Sequence, residues 1–243
     1  MEFFRAQFNF SGGLCDFLKK GESTGFVYKF FGTPSVKDAI EAIGIPHPEV
    51  DGICANGTPV DFSYKLRNGD NIFVTDKFIE NSKELREKLS TIKFILDVHL
   101  GKLARKLRLL GLDTFYLNSL GDREIIEIAL RENRIILTRD QGLLKVGKVI
   151  HGYWVRATCP KAQLKEICRR FKAVGKAFSR CLECNGKLEP AQKKEIIDKL
   201  PPKVAIFFDE FYICGGCKRV FWKGSHFQAM SLDLLKMNLP SND

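Results

Sequence analysis

Residues 93–140 read KFILDVHLGKLARKLRLLGLDTFYLNSLGDREIIEIALRENRIILTRD, and the alternation of short apolar runs with longer amphipathic ones decides the fold. KFILD (93–97) has the profile of a buried strand, and VHLGKLARKLRLLG (98–111) that of a helix stopped at Gly111. DTFYLN (113–118) is a second strand, DREIIEIALREN (122–133) a second helix and RIILTRD (134–140) a third strand. KVIHGYWVRA (148–157) and KAQLKEICRRF (161–171) continue the series as strand and helix. This β-α-β-α-β rhythm predicts an α/β core over residues 91–175, a parallel sheet with helices on its faces.

Ligands of open parallel sheets bind beyond the carboxyl ends of the strands. Asp97 and Asp140 stand at two such ends, and Asp122 opens the intervening helix on the same edge. Converging there, the three would hold one or two Mg²⁺ or Mn²⁺ ions, which orient a water and offset charge building on a scissile phosphate. Each acid also has a plainer reading. Asp97 and Asp122 suit helix caps, and Asp140 suits a turn before Gly142. The sequence leaves both readings open. Asp113 starts a strand and therefore falls on the opposite edge.

On the helix after Asp97, Leu100, Leu103, Leu107 and Leu110 form an apolar stripe, and the cations Lys102, Arg105, Lys106 and Arg108 are expected to face outward. No acid matches them along that helix, so they are candidate phosphate contacts, as is Arg139. Charge over the chain agrees. Residues 1–80 carry a net −3 and the remainder +13, so a polyanion is expected to bind the body and not the head. RNA is the first candidate, tRNA and rRNA among its forms.

Near the end, Cys181-Leu-Glu-Cys184 and Cys214-Gly-Gly-Cys217 form two C-x-x-C pairs 29 residues apart. Two knuckles supply the four thiolates of a tetrahedral zinc site. Four protein ligands leave no open position, so the Zn²⁺ is structural, within a zinc-ribbon domain over residues 176–243. Cys15, Cys54, Cys159 and Cys168 are isolated and read as small buried hydrophobes. A tail, SLDLLKMNLPSND (231–243), starts helical and frays.

Residues 1–80 are built otherwise. EFFRAQFNF (2–10) alternates as a half-buried strand does, and GFVYKFF (25–31) is a second strand. Ser35 caps a short helix with Val36, Ala39, Ile40 and Ile43 on one face, and Gly44 and Pro46 stop it. Asn56-Gly57 marks a hairpin, and NGDNIFVTD (68–76) holds the last strand. The order is that of an α+β β-grasp domain. A charged linker, FIENSKELREKLST (78–91), follows. No run of about 20 apolar residues offers a membrane span, and MEFFRAQFNF lacks the pattern of a signal peptide, so a cytoplasmic location without membrane contact is expected.

Asn68-Gly69-Asp70-Asn71-Ile72-Phe73-Val74 resembles the late strand of ubiquitin-like β-grasp proteins, small sulfur carriers among them. Here the chain continues past Asp76 into the linker, which argues against sulfur transfer and for contact with a protein partner or with the core. FILDVHLGKLARKLRLLGLDT, DREIIEIALRENRIILTRDQGLL, FSRCLECNGKLEP and DEFYICGGCKRVFWKGSH, in that order over residues 92–227, resemble the Mut-seven C-terminal RNase family, a PIN-like nuclease fold with a zinc ribbon. The resemblance implies Asp97, Asp122 and Asp140 as its acids and Arg105, Arg108 and Arg139 as basic positions. His99 departs from the pattern, and Asp209 and Glu210 are candidates for a fourth acid. A metal-dependent ribonuclease is therefore expected; the alternative is a non-catalytic RNA- or ribosome-binding zinc-ribbon protein.

Overall fold

Short β-structure needs one apolar face and a turn that reverses it, and the first 76 residues supply both. The computed structural model describes residues 3–19, 24–76, 92–173 and 175–235. The linker at 78–91 and the far end of the tail lie outside them. By its internal contacts the chain divides into two units, residues 1–83 with 140–154 and residues 84–139 with 155–243. Residues 140–154 group by contacts with residues 1–83.

In chain order that unit begins with β1 (Phe4–Phe10), β2 (Gly25–Phe30), α1 (Val36–Ile43), β3 (Gly52–Ala55), β4 (Thr58–Pro59) and β5 (Asn71–Thr75). The strands form a mixed sheet in the order β2-β1-β5-β3-β4, with β1 and β5 parallel and the other pairs antiparallel. This is the expected β-grasp. Ser35 and Asp38 make a reciprocal capping box at the start of α1, and Gly44 ends the helix at φ 111°. Val36, Ala39 and Ile40 bury against Ala6, Phe8, Phe10, Ile53, Ile72 and Val74. Asn56 and Gly57 both take positive φ, 52° and 81°, as a two-residue hairpin requires. Asp70, 5% exposed, accepts from Asn56 Nδ2, Tyr64 Oη and Arg67 N, which ties the turn before β5 to the hairpin.

The second unit carries β6 (Lys93–Leu96), α2 (Gly101–Leu109), β7 (Asp113–Phe115), α3 (Asp122–Glu132) and β8 (Ile135–Thr138). β6 pairs in parallel with β7 on one side and β8 on the other, so their carboxyl ends share one edge. Phe94, Ile95 and Leu96 of the central strand are fully buried, consistent with a strand covered on both faces. Gly111, at φ 80°, ends the α2 region; a Cβ there would sit 2.1 Å from the Lys176 carbonyl oxygen. Next in the chain come α4 (Gln141–Leu144) and β9 (Gly152–Trp154), grouped with the first unit, and the second unit resumes with α5 (Pro160–Phe171).

The zinc-ribbon region is an antiparallel sheet of β10 (Leu188–Ala191), β11 (Phe211–Cys214) and β12 (Val220–Trp222). Two short helices, α6 (Lys193–Ile196) and α7 (Pro202–Phe207), fill the long connection and close a small core of Ile196, Leu200 and Phe211. The chain ends its described course in α8 (Ser225–Leu235). No helix among the described residues is long and apolar enough to cross a membrane.

Candidate functional site

The two C-x-x-C turns meet. The sulfurs of Cys181, Cys184, Cys214 and Cys217 all lie within 4.8 Å of one another. Cys181 Sγ is 3.7 Å from Cys217 Sγ, and Cys184 Sγ is 3.3 Å from Cys214 Sγ. A tetrahedron with Zn–S bonds of about 2.3 Å has edges of about 3.8 Å, so the donor set fits zinc in number, softness and spacing. Gly186 makes room for it: a Cβ there would approach Cys214 Sγ to 2.8 Å. Burial pushes the Cys181 thiol up to about 12. At Cys184 burial also acts upward, but backbone N–H donation from Gly186 and the Cys214 thiol outweigh it and bring the value to about 6.

The acidic edge is built differently. Asp97 follows β6 and is 5% exposed. Its Oδ2 accepts from Thr138 Oγ1 and from Arg139 N at 3.0 Å, and its Oδ1 accepts from His99 N at 2.8 Å. A buried carboxylate requires such donors, and the last one caps the 3₁₀ turn Val98–Leu100 that leads into α2. Asp122 is exposed and is the first residue of α3, not its cap. Gly121 takes the cap position, and Glu124 Oε2 accepts from Gly121 N at 2.9 Å. Asp140, also exposed, caps α4 by accepting from Gly142 N at 2.7 Å. Among the described residues the four cysteines are the sole group of three or more His, Cys, Asp or Glu side chains gathered as metal ligands are; the three aspartates do not form one.

The family model of the Mut7-C RNAse domain matches residues 92–234, more than half of the 243-residue chain, and that of the Mut7-C ubiquitin domain matches residues 4–81. The chain belongs to the Mut7-C RNAse domain family. No curated protein and no solved structure matches it.

Within the Mut7-C RNAse domain the expected basic positions part company. Lys102 is exposed and Lys106 half-buried. Arg105 is exposed but lies 3.0 Å from Glu183 Oε1, so it is not unmatched. Arg139 donates from Nη1 to the Ala157 carbonyl at 2.5 Å. Arg108 does not face outward: it is 3% exposed and corrects the expectation. Its guanidinium donates to the carbonyls of Thr114, Tyr116, Leu182 and Glu183, the last two lying between the first pair of cysteines. Burial lowers its pKa, against the opposing pull of the Cys181 and Cys184 sulfurs. A group so enclosed by carbonyls holds the knuckle to α2 and β7 and cannot reach a phosphate.

Asp113 anchors the same junction. It pairs with Arg134 at 2.7 Å and Arg180 at 3.0 Å and accepts from Asn185 Nδ2 at 2.9 Å. Burial acts to raise its pKa, but hydrogen bonds from Arg134 and Asn185 and the two guanidinium charges lower it below the usual 3.8. Asp209 and Glu210 pair with Lys193 and Lys223 within the ribbon. His99 is exposed. The residue that sequence reading missed is Thr138, a fully buried hydroxyl at the end of the apolar run Ile135–Leu137. A polar side chain at an inward strand position is the signal that marks it.

Proposed function

We propose that this chain is a metal-dependent ribonuclease whose hydrolytic centre forms on the carboxylate edge of the Mut7-C RNAse domain. Asp97 carries the reading: a buried carboxylate at the carboxyl end of the central strand, oriented by three donors. Asp97, Asp122 and Asp140 offer oxygen donors suited to Mg²⁺ or Mn²⁺. Bound there, such an ion supplies an activated water and offsets phosphate charge. Thr138 and the Arg139 amide keep the Asp97 carboxylate in one orientation, and the exposed Lys102 and Arg139 meet the RNA backbone. The cysteines hold structural Zn²⁺, and the Mut7-C ubiquitin domain contacts a protein partner or guides substrate.

One observation favours a second reading, an RNA- or ribosome-binding protein without catalysis. The three acids are not gathered as ligands, and Asp97 and Asp140 each cap a turn. The test is cleavage of labelled tRNA, rRNA fragments and single-stranded DNA by zinc-loaded protein, with and without Mn²⁺ or Mg²⁺, beside Asp97→Asn. Metal-dependent RNA cleavage that falls by about 100-fold or more in the variant, the scale of removing one charge-stabilising group, supports the nuclease. Equal binding by both proteins with no cutting by either supports the binder.

A further inference from the structure

The connection from β10 to β11 holds two large apolar side chains that the ribbon does not use. Ile206 and Phe207, at the end of α7, are 72% and 75% exposed, the highest values of any large hydrophobic side chain among the described residues. Antiparallel neighbours such as β10 and β11 can be joined by a turn of about two residues, yet here residues 192–210 intervene. The whole connection lies inside the Mut7-C RNAse match.

On a helix, residues three and four apart are neighbours. Val204, Ala205 and Phe208 are half-buried and pack on the small core of Ile196, Leu200 and Phe211. The opposite stripe of α7 is Lys203, Ile206 and Phe207, all exposed. Packing accounts for the first face and leaves the second in water, where apolar area forgoes the gain of burial. Charge there has one sign. Residues 201–208 hold no acid, and Lys203 has no ion pair among the described residues. Over 192–208 Lys193, Lys194, Lys199 and Lys203 stand against Glu195 and Asp198. The acids that follow are already matched, Asp209 by Lys193 and Glu210 by Lys223.

An exposed ring one helical turn from an unpaired cation suits a strand with free base faces, because the ring stacks on a base while the ammonium meets a phosphate. A duplex keeps its base faces covered and offers such a ring little. The stripe is one turn long, far short of the roughly 800 Å² that a stable protein interface takes from each partner. We propose that Lys203, Ile206 and Phe207 form a docking platform for unpaired RNA: Phe207 stacks on a base, Ile206 flanks it and Lys203 meets the backbone. The proposal rests on reading this chain as a protein that acts on RNA. It adds the strandedness of the substrate and the side chains that select it.

The test titrates the full zinc-loaded chain with a labelled oligoadenylate and with a labelled RNA duplex of equal length. No Mg²⁺ or Mn²⁺ is added, so binding is read apart from cutting. Wild type is compared with Phe207→Ala, Phe207→Leu, Phe207→Trp and Lys203→Gln, and zinc content and melting temperature confirm that each variant folds. Phe207→Ala weakens oligoadenylate binding by about fivefold or more, the loss of one stacked base, and leaves duplex binding nearly unmoved. Phe207→Leu, apolar but not flat, falls as the alanine variant does, whereas Phe207→Trp binds at least as tightly as wild type. Lys203→Gln lowers the slope of log affinity against log salt by about 0.7, one phosphate contact to a single strand. Oligoadenylate binding unchanged in Phe207→Ala, equal losses on strand and duplex, a leucine variant equal to wild type or an unmoved slope in Lys203→Gln overturns the platform and leaves the RNA reading standing. A wild type that binds neither probe sinks that reading and the platform with it. If Phe207→Ala instead breaks up an oligomer seen in sedimentation while RNA binding stays put, α7 is an interface between copies and the proposal falls.

Discussion

Thr138 shows how a single hydroxyl makes a charged group tolerable in a core. Asp97 sits beneath the sheet edge with little solvent, and Thr138 Oγ1 is one of three donors that replace the lost water. Thr138→Val keeps the shape and deletes that donor, leaving a carboxylate oxygen short of a partner. The expected result is a loss of about 1–3 kcal/mol in urea unfolding, with RNA cleavage reduced and RNA affinity kept. Unfolding and cleavage unchanged from wild type would show that the hydroxyl does not orient Asp97. Asp113 makes a pH-dependent version of the same point. Folding lowers its pKa below 3.8, so its contribution is present above that value and is lost as pH falls through the folded pKa. Asp113→Asn should therefore be less stable than wild type at neutral pH by about 1–3 kcal/mol, and the gap should narrow as pH falls below 3.8 and through the folded pKa. A gap that persists in acid would mean packing, not charge, is what Asp113 provides.

Elements behaved as their local chemistry required, with one instructive departure. Ser35 three residues before Asp38, and Asn56-Gly57 between two apolar runs, specify a cap and a hairpin through bonds made within a few residues, so both were legible. The face of α2 was less so. Leu100, Leu103 and Leu107 were readable as a stripe, but Ala104 is buried beside them, and Arg108 follows it by one helical turn. A small alanine hides the true width of a buried face from any count of large apolar residues. What fills the space is a cation satisfied by carbonyls from β7 and the first knuckle, partners distant in sequence. The same limit leaves the acids' role undecided by sequence, since a capping aspartate and a ligand aspartate occupy the same position relative to a helix. At this scale Arg108→Met is the informative change. It keeps much of the stem and removes the donors to Leu182 and Glu183. Loss of such an outer partner weakens metal sites by about 10–100-fold, so zinc should pass to a chromogenic chelator correspondingly faster. Release at the wild-type rate would show that the knuckle holds zinc without help from α2.

For the molecule as a whole, the order of β-grasp, α/β core and ribbon could be read from motif and period, because each segment's apolar pattern is internal to it. The bond from the Trp154 backbone N–H to Glu49 could not, since the two residues meet only through the fold. Each of the two small domains, β-grasp and ribbon, has apolar residues of its own to bury. The core of the β-grasp draws on residues between Ala6 and Val74, whereas the ribbon closes its own around Phe211. One tryptophan reports on each, Trp154 in the first unit and Trp222 in the second. In a Trp154→Phe chain the emission of Trp222 should show a large fall in melting temperature on zinc chelation, because structural zinc in small domains carries roughly 10–16 kcal/mol of binding energy that is also folding energy. In a Trp222→Phe chain the emission of Trp154 should melt at nearly the same temperature with or without chelator. Equal shifts from both reporters would mean that the four cysteines stabilise more than the unit that contains them.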